Sequence, residues 1–300
     1  MKVGVVCTGI AVLDRVHLFE TLPLSPGKHI ARGYREHGGG MAATAAVSVA
    51  ALGGAASWIG RLGADATGET LLGMLRRHGV ATEHAIIAPG GQSPAAAVLV
   101  DAEGERLLAV YPGANLPEDA AVPEAPLDRA GAVLADPRWP GGAERLFALA
   151  RARGLPRVLD AELGAPQILH LLAPQADHVV FSERGLVEFS ETADPEAGLA
   201  AAAARLPGTV AVTLGARGSL WWRDGRAVAL PAPRVQARDT TGCGDVFHGA
   251  YALALAEGQA VPDAARFATA AAALKAARGH GWDGMPDRAA VLALLREGWE

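Results

Sequence analysis

Strand-like apolar runs alternate with helical stretches along most of the chain, and this alternation restricts the possible folds more than any other feature. Residues 3–10 (VGVVCTGI), 55–60, 131–135, 157–160, 178–181 and 209–214 read as buried strands. Residues 41–52, 66–78, 142–153, 195–205, 245–257 and 262–277 read as helices, the first two closed by Gly53-Gly54 and Gly79. The pattern predicts an α/β fold with a largely parallel sheet covered by helices on both faces. Two segments break it. Residues 11–36 hold short alternating runs around Pro23, Pro26 and Gly27. Residues 92–112 read as two strands joined by a turn at Glu103-Gly104. The expected division is one domain over 1–300, with a main body (1–10, 37–91, 113–300) and a small β-lid (11–36 and 92–112).

Composition narrows the function. Half of the 300 residues are hydrophobic and 20% are charged, which excludes a disordered chain. The net charge is −5 and no run of Lys or Arg occurs, so nucleic acid and a basic membrane face are not expected partners. Two cysteines, Cys7 and Cys243, make no disulfide framework and fit a cytoplasmic protein. The first fourteen residues resemble a signal peptide in hydropathy, yet they lack an A-x-A site and run into Asp14 and Arg15. They read as a first buried strand. Residues 38–60 carry no charge, but their Gly, Ala, Ser and Val content suits a buried helix entering a strand better than a membrane span.

The segment DTTGCGDVFHGAYALALAEG at 239–258 carries the chemistry. Gly242 and Gly244 permit a tight loop, and Asp245 falls in the first turn of the helix that follows. A helix N-terminus offers unpaired amides and a positive dipole end, which together cradle a phosphoryl group. An acid in that cradle can accept a proton; alternatively, Asp245 merely caps the helix. No Walker loop, His-Glu-x-x-His or Gly-x-Ser-x-Gly is present. Phe247 occupies the third glycine position of a Rossmann fingerprint, and the nine histidines form no close ligand pair.

DTTGCGD resembles the second signature of the ribokinase-like (PfkB) carbohydrate kinases. The glycines at 38–40 with their helix resemble the first, and GRLGADATGETLLGMLRRHGV at 60–80 and VTLGARG at 212–218 follow in matching order. The resemblance spans essentially the whole chain. It implies a ribokinase-like, doubly wound sheet with a β-lid, and an ATP-dependent sugar kinase. Segments at 9–15, 25–40, 42–47 and 133–139 are similar to 6-deoxy-6-sulfofructose kinases.

The resemblance implies roles residue by residue. Asp245 would be the general base that takes the proton of a sugar hydroxyl. The amides of Gly242, Cys243, Gly244 and Asp245 would form the anion hole, with Cys243 filling space where a small residue is usual. Asp14, Gly39 and Gly40 would meet the sugar; Thr44 stands where the family often has Asn. Thr213, Gly215 and Gly218 match the nucleotide-binding turn, which could also be an ordinary turn. The Asn-x-x-Glu element of the family should fall at 182–185, where Ser182-Glu183-Arg184-Gly185 stands instead; Glu183 could substitute.

Lys28 and Arg138 fall where relatives bind an anionic group on the sugar, and two cations would clamp a sulfonate or phosphate. They could equally be surface charges. Val110 replaces an Asn expected before the lid's Tyr-Pro. The cofactors implied are ATP and Mg²⁺, with K⁺ held near Asp239 and Thr241. The expected acceptor is 6-deoxy-6-sulfofructose, with a sugar phosphate or a neutral sugar such as ribose or fructose as alternatives. A catalytically silent sugar-binding regulator is the reading from another class. A homodimer through the lids is expected.

Overall fold

The computed structural model describes residues 3–162 and 166–299. Its N-terminal part runs β1 (Gly4–Thr8), β2 (Val12–Leu18), β3 (Gly33–Gly39), α1 (Met41–Ala51), β4 (Ala55–Ile59), β5 (Arg61–Gly63), α2 (Ala66–Arg77), β6 (Val80–Ala81), β7 (Ile86–Ala88), β8 (Ala95–Val100) and β9 (Arg106–Tyr111). It continues with β10 (Ala130–Ala135), α3 (Pro140–Ala152), β11 (Arg157–Ala161), α4 (Pro166–Leu172), β12 (His178–Ser182), α5 (Glu183–Ser190), α6 (Pro195–Ala203) and β13 (Thr209–Thr213). The last elements are β14 (Ser219–Arg223), β15 (Arg226–Leu230), α7 (Cys243–Ala256), α8 (Val261–Arg278) and α9 (Arg288–Glu297).

Nine strands form the main sheet in the order β15-β14-β13-β12-β11-β10-β1-β4-β6. From β6 to β13 every neighbouring pair is parallel. The edge hairpin β14–β15 is antiparallel. It was not expected, because its signal is only the tight turn at Asp224-Gly225, where both residues take positive φ. A separate four-stranded sheet, β3-β2-β8-β9, forms the lid. Within it β2 pairs antiparallel with β3 and parallel with β8.

Two apolar cores sandwich the main sheet. One packs α1, α2, α7, α8 and α9 on one face; the other packs α3 to α6 on the opposite face. The small side chains have a structural use. Residues 42–49 of α1 are all buried, and a Cβ at Gly249 of α7 would stand 2.4 Å from the Ala45 carbonyl oxygen. Only glycine lets the two helices approach that closely. Their N-termini therefore lie together, and the candidate site is built there.

Three features differ from the expected boundaries. The first strand stops at Thr8 instead of residue 10, because the Ile10 amide turns to the Asp136 carboxylate at 2.9 Å. Strand β3 runs to Gly39, across the expected 36/37 boundary between lid and body. Helices α4, α5 and α9 are short, 7 to 10 residues, and carry too few turns for a clear apolar period.

Candidate active site

Strand order reverses between β1 and β10, so a crevice opens beyond their carboxyl ends. Asp136, immediately after β10, closes its floor. Its carboxylate accepts the amides of Ile10 (2.9 Å), Ala42 (3.0 Å) and Arg138 (2.8 Å). It thereby ties the β1–β2 connection and the start of α1 to β10. Burial pushes its pKa up to about 6, against the pull of these three donors.

The loop at 239–245 lies above this floor. Asp239 accepts the amide and hydroxyl of Thr241 at 2.9 and 2.7 Å, which shapes the turn. Gly242, with φ 73°, then turns the chain into α7. The Cys243 amide closes onto the Thr240 carbonyl at 3.2 Å. The Cys243 amide is thus engaged within the loop, while those of Gly244 and Asp245 lie in the first helical turn. Burial pushes the Cys243 thiol up to about 11, which fits a space-filling residue and not a reactive one.

A cavity of about 460 Å³ lies between the lid and this loop. Asp14 on β2, Gly39, Gly40, Asp239, Thr241, Gly242 and Asp245 all line it. Asp14 stands opposite His37 and Ala96 in the lid sheet, and burial pushes its pKa up to about 6. The Asp245 carboxyl is held well above the usual carboxylate range. Desolvation is the main cause, and repulsion from Asp160 adds to it, with His248 pulling the other way. A carboxyl tuned upward in this manner is suited to exchange a proton near neutral pH.

A second cavity of about 450 Å³ lies on the other side of the same loop. Thr213, Gly215, Gly218, Thr240, Cys243 and Gly244 line it, together with apolar side chains of α7 and α8. The six residues 240–245 are thus shared out between two cavities, with Asp245 facing the one under the lid.

Against this geometry the comparisons are decisive. The family model for pfkB family carbohydrate kinases matches residues 3–288. The chain belongs to that family. It is 30% identical to a ribokinase of Bacillus subtilis over 261 residues, covering 86% of this chain and 87% of the relative. It is 30% identical over 287 residues to fructokinase-1 of Oryza sativa, covering 86% and 88%. The structure of Arabidopsis thaliana ribokinase complexed with ribose and ATP superposes with a TM-score of 0.86 at 27% identity, over 98% of this chain and 99% of that one. A solved structure from Agrobacterium tumefaciens reaches 0.95 at 34% identity, over 99% and 98%. The fold is ribokinase-like and the protein is a carbohydrate kinase.

Within this kinase, three expected residues stand apart from both cavities. Lys28 is exposed in the β2–β3 connection, Arg138 is exposed after β10, and neither lines a cavity. Glu183 starts α5 and pairs with Arg217 at 2.6 Å. Other cations line the cavity under the lid instead: Arg35, Arg106, Arg238, Lys275 and Arg278. Arg106 of β9 reaches across to Asp239 at 3.2 Å and ties lid to loop. The buried His248, one turn after Asp245, has Nδ1 2.7 Å from the Gly244 carbonyl and 3.2 Å from Asp160, and Nε2 3.1 Å from the Val180 carbonyl. Burial lowers its pKa, and the carbonyls and neighbouring carboxylates oppose that. Arg35, Arg106, Lys275 and Arg278 had no local sequence signal, because each comes from a segment distant from the loop, whereas Arg238 and His248 flank and follow the loop itself.

Thr44 finds a different use from the family's Asn. Its hydroxyl accepts the indole N–H of Trp282 at 2.9 Å, which fixes a wall of the same cavity. Among the described residues, no group of three or more His, Cys, Asp or Glu side chains is placed to hold a metal ion. No helix among them is long and apolar enough to cross a membrane.

Proposed function

We propose that the chain transfers the γ-phosphate of ATP to a hydroxyl of an anionic sugar held under the lid. The observation that carries this is the loop at 240–245, which forms a wall of both cavities with Asp245 turned to the lid side. The nucleotide occupies the cavity of Thr213, Gly215 and Gly218, whose largely apolar lining suits a base and whose inner end meets the start of α7. Its phosphates reach the amides of Gly244 and Asp245. Mg²⁺ bound to those phosphates would supply neutralisation of their charge. Asp245 removes the proton of the attacking hydroxyl. Phosphoryl transfer depends on such positioning and charge stabilisation more than on covalent help.

Asp14 accepts bonds from sugar hydroxyls, and Gly39 leaves room for its carboxylate. The acceptor's negative group meets the arginines of the cavity, Arg35, Arg106, Arg238 and Arg278. Four guanidinium groups around a neutral sugar would contribute little, whereas a sulfonate or phosphate engages them as paired hydrogen bonds. The resemblance to sulfofructose kinases makes 6-deoxy-6-sulfofructose the first acceptor to test. Lys28 and Arg138 enter this reading only if the lid closes over them. The names of the relatives favour a second reading, in which ribose or fructose is the acceptor and the arginines serve the phosphates or the fold.

Every residue of β9 is exposed, including Leu107, Leu108, Val110 and Tyr111. We assign this face to a second copy of the chain, giving a homodimer through the lids. Consumption of ATP and two free cysteines fit a cytoplasmic setting.

The test is ADP release from Mg-ATP with 6-deoxy-6-sulfofructose, fructose 6-phosphate, tagatose 6-phosphate, fructose and ribose. Preference for an anionic ketose supports the proposal. Turnover of neutral sugars alone removes the anionic reading, and no turnover with any acceptor, while nucleotide still binds, favours the silent regulator.

A further inference from the structure

The family resemblance places a monovalent cation at Asp239 and Thr241, and the residues there do not fit a free ion. The ammonium of Lys275 lies 3.4 Å from the Thr241 carbonyl oxygen. Lys275 sits in the last turn of α8, 1% exposed, and its stem runs through the helix packing to reach the loop. Its charge acts on Asp239, whose pKa is lowered by the Thr241 hydrogen bonds and then by Lys275 and Arg106, against the cost of burial.

Several groups that a free ion would use are already engaged. Oδ1 of Asp239 already accepts two bonds from Thr241 and faces Arg106 at 3.2 Å. The Ala276 carbonyl, one residue after the lysine, accepts the amides of Arg238 (2.8 Å) and Asp239 (3.2 Å). A free ion would enter beside an ammonium and a guanidinium with one carboxylate between them.

Residue choice points the same way. The chain has 24 arginines and three lysines, and one of the three is this buried side chain. A guanidinium is a planar fork that matches carboxylates and phosphates; an ammonium is a compact point charge, as a bound alkali ion is. In a chain that otherwise uses arginine, a buried lysine under the phosphoryl-transfer loop fits the need for that compact charge.

We propose that Lys275 is the resident cation of the 239–245 loop, a tethered replacement for the monovalent ion, and that this kinase works without potassium. Lys275 acts through the Thr241 carbonyl: it holds the turn and adds positive potential beneath the amides of Gly244 and Asp245. It is a positioning residue and leaves the proton transfer to Asp245. The proposal rests on the kinase reading above, and one arm of its test does not.

Initial rates are measured at saturating Mg-ATP and acceptor with choline, sodium or potassium as the only monovalent cation. At constant ionic strength kcat of the natural chain is expected to differ by less than about two-fold among them. Lys275→Met removes a charged donor, so in choline its kcat should fall by about ten-fold or more. Potassium should then restore much of it, a response that lost packing alone would not give. Lys275→Gln keeps a neutral donor and serves the same comparison if the Met variant folds poorly.

The second arm is thermal unfolding in choline against potassium chloride. The natural chain should show equal midpoints, and Lys275→Met a higher midpoint in potassium, since an ion that binds only the folded state stabilises it. Stimulation of the natural chain several-fold by potassium, or a Lys275→Met variant blind to potassium in both rate and midpoint, overturns the assignment. If no acceptor is turned over, the kinase reading fails by itself, and the midpoints still decide the cation.

Discussion

Lowering the pH perturbs both acids of the lid-side cavity, and their burial sets the size of the effect. The Asp14 carboxyl is pushed up to about 6 by desolvation. Asp245 is held well above its ordinary value by desolvation and by repulsion from Asp160. On the mechanism proposed above both must be ionised for turnover, Asp14 to accept sugar hydroxyls and Asp245 to accept the proton. With a pKa near 6, about nine-tenths of Asp14 is ionised at about pH 7 and about one-tenth at about pH 5. That group alone lowers kcat/KM by about nine-fold over the interval, and Asp245 contributes a second proton. Carboxylates at their ordinary values would remain mostly ionised at about pH 5 and the rate would scarcely change.

The stability sign separates this loss from acid unfolding. A carboxyl whose folded pKa is raised binds its proton more tightly in the folded state than in the unfolded one. Its contribution therefore favours folding at low pH and is lost as pH rises from the ordinary value through the folded one. Asp136, also pushed up to about 6, acts in the same sense. Acidification toward pH 5 should thus reduce kcat/KM without these three groups lowering the melting temperature. The assay is kcat/KM across pH at fixed ionic strength, with circular-dichroism melts in the same buffers and return of each sample to neutral pH. The limb should approach a slope of two, and Asp14→Asn should reduce it to one. A limb centred below about 4.5, or activity that does not return, refutes the reasoning.

Asp245→Asn should lower kcat by about a hundred- to ten-thousand-fold, the usual range for a lost general base, while calorimetry shows nucleotide affinity nearly unchanged. Gly39→Ala would place a Cβ 2.5 Å from Asp14 Oδ2 and displace the carboxylate. The acceptor KM should rise about ten-fold or more as that hydrogen bond to a charged group is lost, with the nucleotide KM unmoved because the second cavity has a separate lining. Leu108 and Val110, 54% and 59% exposed on β9, should be buried in a lid dimer. Leu108→Asp should then shift sedimentation from dimer to monomer, and a natural chain that already sediments as a monomer counts against the interface.

Local signals carried well and remote ones did not. Helix α7 and its loop were legible because Gly242, Gly244 and Asp245 announce a tight turn, a cradle and an acid within four residues. The parallel sheet was legible because buried strands bounded by glycines alternate with helices long enough to show a period. The lid pair β8–β9 was legible from two apolar runs and a glycine turn. The cation set was not. Arg35, Arg106, Arg238 and Arg278 belong to four separate segments, and only closure of the lid sheet over the loop brings them to one cavity. Position 138 is placed differently. Its backbone amide serves Asp136, and its side chain lines neither cavity.

The overall charge of −5 and a cavity ringed with cations are compatible because the two act over different distances. At physiological ionic strength a surface charge is largely screened beyond about 8 Å, so the acidic residues outside the cavity barely alter the potential within it. Inside, low-dielectric walls and short distances let each arginine act nearly at full strength. Net charge therefore argues against a polyanion that needs a broad basic face, while leaving a small anion fully bindable. The same asymmetry limits the acceptor. On the proposed reading a neutral sugar would gain only hydrogen bonds from Asp14 and the loop, and the arginines of the cavity would find no anionic partner on it. On that reading an acceptor carrying a compact anion would supply one as it binds, so its charge, more than the size of its ring, should separate good acceptors from poor ones.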